Sequence, residues 1–167
     1  MKIKEVKTYF EPDIRWMSGY EISTIEAYKE KFEIEIIFNE NVPEDLKKGG
    51  YVVQDLMVYA YYNYDILDEV LRKVLGVFEL SVKLKTIDLG NEVEKVNGKG
   101  KSKAIVLDIL IKQFKDEKDL KVLVPVLDEL RQLRNKYSNP KQHNVDGPMI
   151  VALAKKVVLV IDEMFKK

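Results

Sequence analysis

From Val52 to about Val82 apolar residues recur by fours and threes: Val53, Met57, Ala60, Tyr64, Leu67, Leu71, Val74 and Phe78. That spacing predicts one long amphipathic helix. Leu56, Ile66, Val70 and Val77 widen its stripe, and Asp65, Asp68, Glu69, Arg72 and Lys73 mark the wet side, so the helix faces a bundle core and not a single partner. Residues 90–103 are polar and aperiodic and read as a loop or hairpin linker. Ala104 to Phe114 follows as a short helix, and the apolar run Leu120 to Val124 stops at Pro125. Proline suits a first helical turn, here that of a helix running to about Tyr137. Ser138, Asn139 and Pro140 break it, and a last helix starts near Asp146, Gly147 and Pro148 and runs to Lys167.

Two segments resist a single reading. In the first, Phe32, Ile34, Ile36 and Phe38 alternate as in a strand, whereas Ile22, Ile25 and the Tyr28/Phe32 pair have helical spacing. Helix and strand therefore both stay open for an N-terminal arm of residues 1–48, ended by the turn signals at 41–45 and 47–50, with a helical domain over 49–167. The second is the last helix, which is apolar around most of its circumference and leaves a narrow polar strip at Lys155, Lys156, Asp162, Glu163 and Lys166. Such width implies either a central place in the bundle or a second burial surface in a homodimer. The expected fold class is mainly α.

Composition narrows the chemistry. With 167 residues the chain has room for one main core. It has no cysteine and a single histidine, His143, which excludes disulfides, thiolate metal sites and cysteine nucleophiles and leaves no expected metal or cofactor. Lys plus Arg and Asp plus Glu both number 28, so attraction to nucleic acid would have to come from a local patch. No apolar run approaches the roughly 20 residues that span a bilayer, and the first residues hold no signal-peptide core. The expected location is cytoplasmic, away from membranes.

Three clusters are candidates for function. Gly100-Lys101-Ser102 resembles the end of a phosphate-binding loop, but Lys95 stands where the required glycine belongs. A solvated loop is the better reading, in which Lys95, Lys99, Lys101 and Lys103 can still meet phosphates as point charges. Among Tyr59, Tyr61, Tyr62 and Tyr64, the helical stripe assigns Tyr59 and Tyr64 to the core and leaves Tyr61 and Tyr62 partly exposed. The most informative cluster is residues 131–143, where Arg131, Arg134, Lys136, Lys141 and His143 occur without an acid. Leu120, Leu123, Leu127, Leu130, Arg134 and Tyr137 share a face, so Arg134 takes a position the stripe assigns to the interior. An unpaired buried guanidinium costs several kcal/mol, so Arg134 needs a carboxylate, backbone carbonyls at the helix end or an anionic ligand. Capping of the last carbonyls by Arg134 and Lys136 is the bland alternative.

With Leu133-Arg134-Asn135-Lys136-Tyr137 ending a helix, a Pro-bearing break and an apolar last helix, residues from about 50 to 167 resemble the HEPN domain family. The resemblance implies a HEPN-like up-and-down helical bundle that pairs into a homodimer, and either a metal-independent endoribonuclease of toxin or defence systems or a catalytically silent nucleotide-binding or protein-interaction module. It further implies catalytic roles for Arg134, Asn135 and His143, and RNA contacts for Arg131, Lys136, Asn139 and Lys141. The family motif places histidine after about four to six residues; here Asn139 occupies the nearest such position and His143 follows Arg134 after eight. Either the longer loop brings His143 to the same place, or the site retains binding alone.

Overall fold

A computed structural model describes residues 10–96, 100, 102–138 and 145–166. Helix takes 67% of the described residues and strand 4%, which makes the chain mainly α. The helices are α1 (Ile14–Tyr20), α2 (Ile25–Phe32), α3 (Glu44–Tyr59), α4 (Ile66–Asp88), α5 (Leu107–Gln113), α6 (Val124–Tyr137) and α7 (Gly147–Met164). Between α4 and α5 the antiparallel strands β1 (Glu94–Val96) and β2 (Ser102–Ala104) pair as a hairpin. No helix among the described residues is long and apolar enough to cross a membrane.

α4 is the axis of the bundle, packing against α3, α5, α6 and α7. Its Leu67, Val70, Leu71, Val74, Phe78 and Val82 are all buried, as an unbroken apolar stripe requires. Against it lies α7, whose Ile150, Ala154, Val157 and Ile161 are buried while Leu159 stays 66% exposed. α7 also meets α2 and α6, so much of its apolar surface is covered within one chain, with Val151 and Val158 half-buried. α7 thus takes a central place in the bundle. Asp146 caps α7 by accepting from the Met149 amide at 2.8 Å, and Pro148 sits in the first turn.

The expected single helix over 52–82 is corrected to two. α3 ends at Tyr59, and α4 begins at Ile66. The N-terminal arm meets backbone carbonyls at and just before the break: Trp16 Nε1 donates to the Ala60 carbonyl at 2.8 Å, Tyr28 Oη to that of Met57 at 2.6 Å, and the Asp13 amide to that of Tyr61 at 2.9 Å. The Tyr64 amide donates in turn to Asp13 Oδ2 at 3.1 Å. Burial of the stripe was read correctly, since Val53, Met57, Ala60 and Leu67 are all inside. The bend nevertheless exchanges two tyrosines relative to expectation: Tyr61 is buried and Tyr59 is 59% exposed.

The arm is helical where it is regular. Thr24 caps α2 through the Ala27 amide at 3.2 Å, and no strand occurs over 10–48. The alternation at 32–38 is nonetheless real, because Phe32, Ile34 and Ile36 are buried and Glu33, Glu35 and Ile37 exposed along an extended, unpaired segment. Asn39 ties that segment to α7, its amide meeting Asp162 Oδ1 at 3.0 Å. The expected boundary at 48/49 falls inside α3, and Trp16, Tyr28, Phe32, Ile34 and Ile36 belong to the same core as the rest.

Candidate functional site

Arg134 lies one turn before the end of α6, on the face that buries Leu127 and Leu130 against the bundle. Its partner is Glu79 of α4: Nε donates to Glu79 Oε2 at 2.9 Å and Nη2 lies 2.8 Å from the same oxygen. A carboxylate, anticipated for this guanidinium, is thus among its partners. The other oxygen, Glu79 Oε1, accepts from Lys83 Nζ at 2.6 Å. Burial raises the Glu79 carboxyl pKa, but the bonds from Lys83 and Arg134 outweigh it and hold the group below its ordinary value. Glu79 is therefore an anion at neutral pH that orients two cations.

This pair stands between two clefts. The smaller, about 240 Å³, is lined by Arg72, Gly76, Glu79, Arg134, Tyr137 and Ser138. The larger, about 350 Å³, lies on the other side, where Glu79, Lys83 and Arg134 meet Asn135, Arg131, Asp108 and the chain from Ala104 to Leu107. Each has room for a nucleotide-sized group or part of one. The cations Arg72, Lys83, Arg131 and Arg134 face them against the acids Glu79 and Asp108, which leaves the walls net positive.

The remaining expected residues divide. Asn135 is exposed at the rim, its Oδ1 3.4 Å from Arg134 Nη1. Arg131 lines the larger cleft, bonded through Nε to Asp128 at 2.8 Å and lying 3.8 Å from Asp108. The bond from Arg131 lowers the Asp128 pKa. Lys136 is exposed, with its Nζ 5.1 Å from the Tyr137 ring centre. The carbonyl of Arg134 accepts from Ser138, whose amide lies at 2.9 Å. Asn139, Lys141 and His143 lie outside the described residues.

Sequence reasoning missed the α4 side of the site. Arg72, Gly76, Glu79 and Lys83 step by four, three and four, which places them on one helical face. That polar stripe is a signal in the sequence, masked by the stronger apolar stripe beside it. No family model matches the chain, nor does any curated protein or solved structure, which leaves the geometry of these clefts as the ground for its function.

Proposed function

We infer that this chain is a HEPN-like protein that acts on RNA at the end of α6, binding phosphate through Arg134 and Asn135 and using His143 for metal-independent cleavage. The observation that supports it best is the setting of Arg134: a half-buried guanidinium on an otherwise leucine-rich face, held by Glu79 between two clefts with net positive walls. A guanidinium has five N–H donors in a planar fork, and Glu79 engages the Nε and Nη2 side. Donors on Nη1 and Nη2 remain for a phosphate oxygen.

Chemically, the ribose 2′-oxygen attacks the adjacent phosphorus, the bond to the 5′-oxygen breaks, and a 2′,3′-cyclic phosphate and a 5′-hydroxyl result. His143 takes the 2′-hydroxyl proton or supplies one to the leaving oxygen, a task suited to a group titrating near neutrality. Arg134 offsets the charge that builds on the phosphoryl oxygens. A homodimer of the kind implied by the resemblance would bring two such sites to a shared cleft.

The test is cleavage of a mixed-sequence RNA in EDTA by wild type, His143→Ala and Arg134→Ala, with folding of each checked by circular dichroism. Loss of about 10²-fold or more in both variants is expected. Wild-type protein that neither cuts nor binds RNA would sink the proposal. A second reading, a binding or protein-interaction module without cleavage, draws on Asn139 at the position nearest to the family's histidine and on the share of Arg134 already taken by Glu79. It is favoured if wild type binds RNA without cutting it and Arg134→Ala abolishes binding.

A further inference from the structure

The β1–β2 hairpin carries a charge pair that its own stability does not favour. Lys95 stands directly across from Lys103, and like charges at facing strand positions repel. Both side chains are exposed, and neither forms an ion pair with a described residue. Glu94, next in the chain, alternates to the other face of the ribbon opposite Ala104, where its carboxylate bonds the Ser102 hydroxyl.

Residues two apart share a face of the ribbon, so Lys95 and Lys103 project from the same face as Val93 and Ile105. Toward the bundle the ladder continues to Val93 and Ile105, the Ile105 amide donating to the Val93 carbonyl at 2.8 Å. Ile105 is buried and lines the larger cleft with Arg131, Arg134 and Asn135. Ala104, on the opposite face, lines the cleft as well, so the base of the ribbon borders the cleft and the Lys95–Lys103 rung stands next along it, roughly 7 Å beyond Ile105. Within the cleft, Arg134 and Lys83 share Glu79, and Arg131 is met by Asp128 and Asp108. The lysine rung adds positive charge that these internal pairs do not neutralise.

We propose that Lys95 and Lys103 form a second phosphate-binding site, which carries a single-stranded RNA out of the Arg134 cleft and along the hairpin. It rests on the RNA reading above and adds to it the path and the strandedness of the substrate. A cleft of about 350 Å³ admits a nucleotide rather than a duplex, and lysines bind the phosphodiester backbone as point charges without reading bases. Bound phosphate also relieves the repulsion across the rung.

The experiment is fluorescence anisotropy with a 2′-O-methyl oligouridine of twelve residues, which cannot be cleaved through its 2′-oxygen, titrated between 50 and 200 mM salt. Wild type is compared with Lys95→Ala/Lys103→Ala, Lys95→Glu and Arg134→Ala, each checked for folding by thermal melting. The double variant is expected to bind about 10- to 30-fold more weakly at 0.1 M salt, with a salt slope shallower by about 1.4. Lys95→Glu turns the rung into an attractive pair, so the hairpin keeps its stability while RNA binding falls. Unchanged affinity and slope in the double variant, with Arg134→Ala impaired, would overturn this proposal and leave the RNA reading standing. Wild type that fails to bind would overturn both, and full binding by Arg134→Ala would remove the cleft from the path and overturn the route proposed. Equal displacement of the probe by poly-glutamate of the same charge would assign the rung to acidic proteins instead.

Discussion

Asp13 does three jobs with one carboxylate. It caps α1 through the Arg15 amide at 3.1 Å, bonds Arg15 Nε at 2.9 Å, and receives the Tyr64 amide across the α3–α4 bend. Burial pushes its pKa up, but bonds from Arg15 and the two amides pull it down further, to about 2. A folded pKa below the unfolded one means stability that is present above the unfolded value and lost as pH falls through the folded one. Asp13→Asn is therefore expected to cost about 2 kcal/mol at pH 7, measured by urea unfolding. Its deficit relative to wild type should shrink from about pH 4 downward and vanish near pH 2; a deficit independent of pH would show that the charge is not what matters. Glu79 lends itself to a binding test. Glu79→Gln keeps an oxygen to orient Arg134 but removes a negative charge from the cleft wall, so oligonucleotide affinity should rise about two- to fivefold. A fall would mean that ionised Glu79 is needed to hold the guanidinium in place.

At the scale of elements, the packing of α3 depends on two glycines. A methyl at Gly49 would lie 2.8 Å from Val77 Cγ2, and one at Gly50 2.9 Å from Ile36 Cγ2. The sequence reading took Lys47-Lys-Gly-Gly50 as a break, whereas it lies within α3 and lets the helix approach α4 and the extended segment closely. Alanine favours helices over glycine by about 1 kcal/mol, yet overpacking a stiff β-branched neighbour costs about 1–3 kcal/mol. Gly49→Ala should thus lower the urea midpoint, and Val77→Ala in the same chain should recover part of the loss in a double-mutant cycle. The bend at 60–65 belongs to the same scale. The bend has turn bonds of its own, among them the Tyr62 and Asn63 amides to the Tyr59 carbonyl at 3.1 and 3.2 Å and the Asp65 amide to Asn63 Oδ1 at 3.2 Å, and bonds from Asp13, Trp16 and Tyr28 of the arm are added to them. Without glycine or proline between Val52 and Leu75, the run offered no strong breaker to find.

For the whole molecule, the arm and the bundle share one core. Trp16 packs its ring 4.9 Å from that of Tyr28, 5.0 Å from Phe32 and 4.7 Å from Tyr64, joining α1, α2 and the α3–α4 bend. Removal of residues 10–48 should therefore unfold the remainder, not release a free helical domain; a truncated 49–167 chain with a cooperative melting transition would contradict this. Much of the apolar surface of α7 is likewise used internally. Val157→Lys should unfold the protein, because Val157 is 2% exposed and a buried unpaired charge costs several kcal/mol. Leu159→Lys should leave melting temperature and light-scattering mass unchanged, as its side chain is already in solvent. A mass change would reveal an interface on that face.

Amphipathic period alone determined most of what is inside: Val53, Met57, Leu67, Leu71, Phe78, Leu127 and Leu130 are buried as their spacing requires. It also marked Arg134 as a charge on an apolar face, and turn chemistry bounded the hairpin, α6 and α7. These features are local, so short-range spacing and side-chain preference encode them. Tertiary structure alone decided that Arg134 meets Glu79, 55 residues away, that the arm caps the bend between α3 and α4, and that an alternating segment stays extended without a partner strand. Each depends on hydrogen bonds or charge contacts between residues remote in the chain, and such contacts leave no period along it. The polar face of Arg72, Glu79 and Lys83 belongs to both: helical spacing writes it into the sequence, but its function appears when α6 brings Arg134 against it.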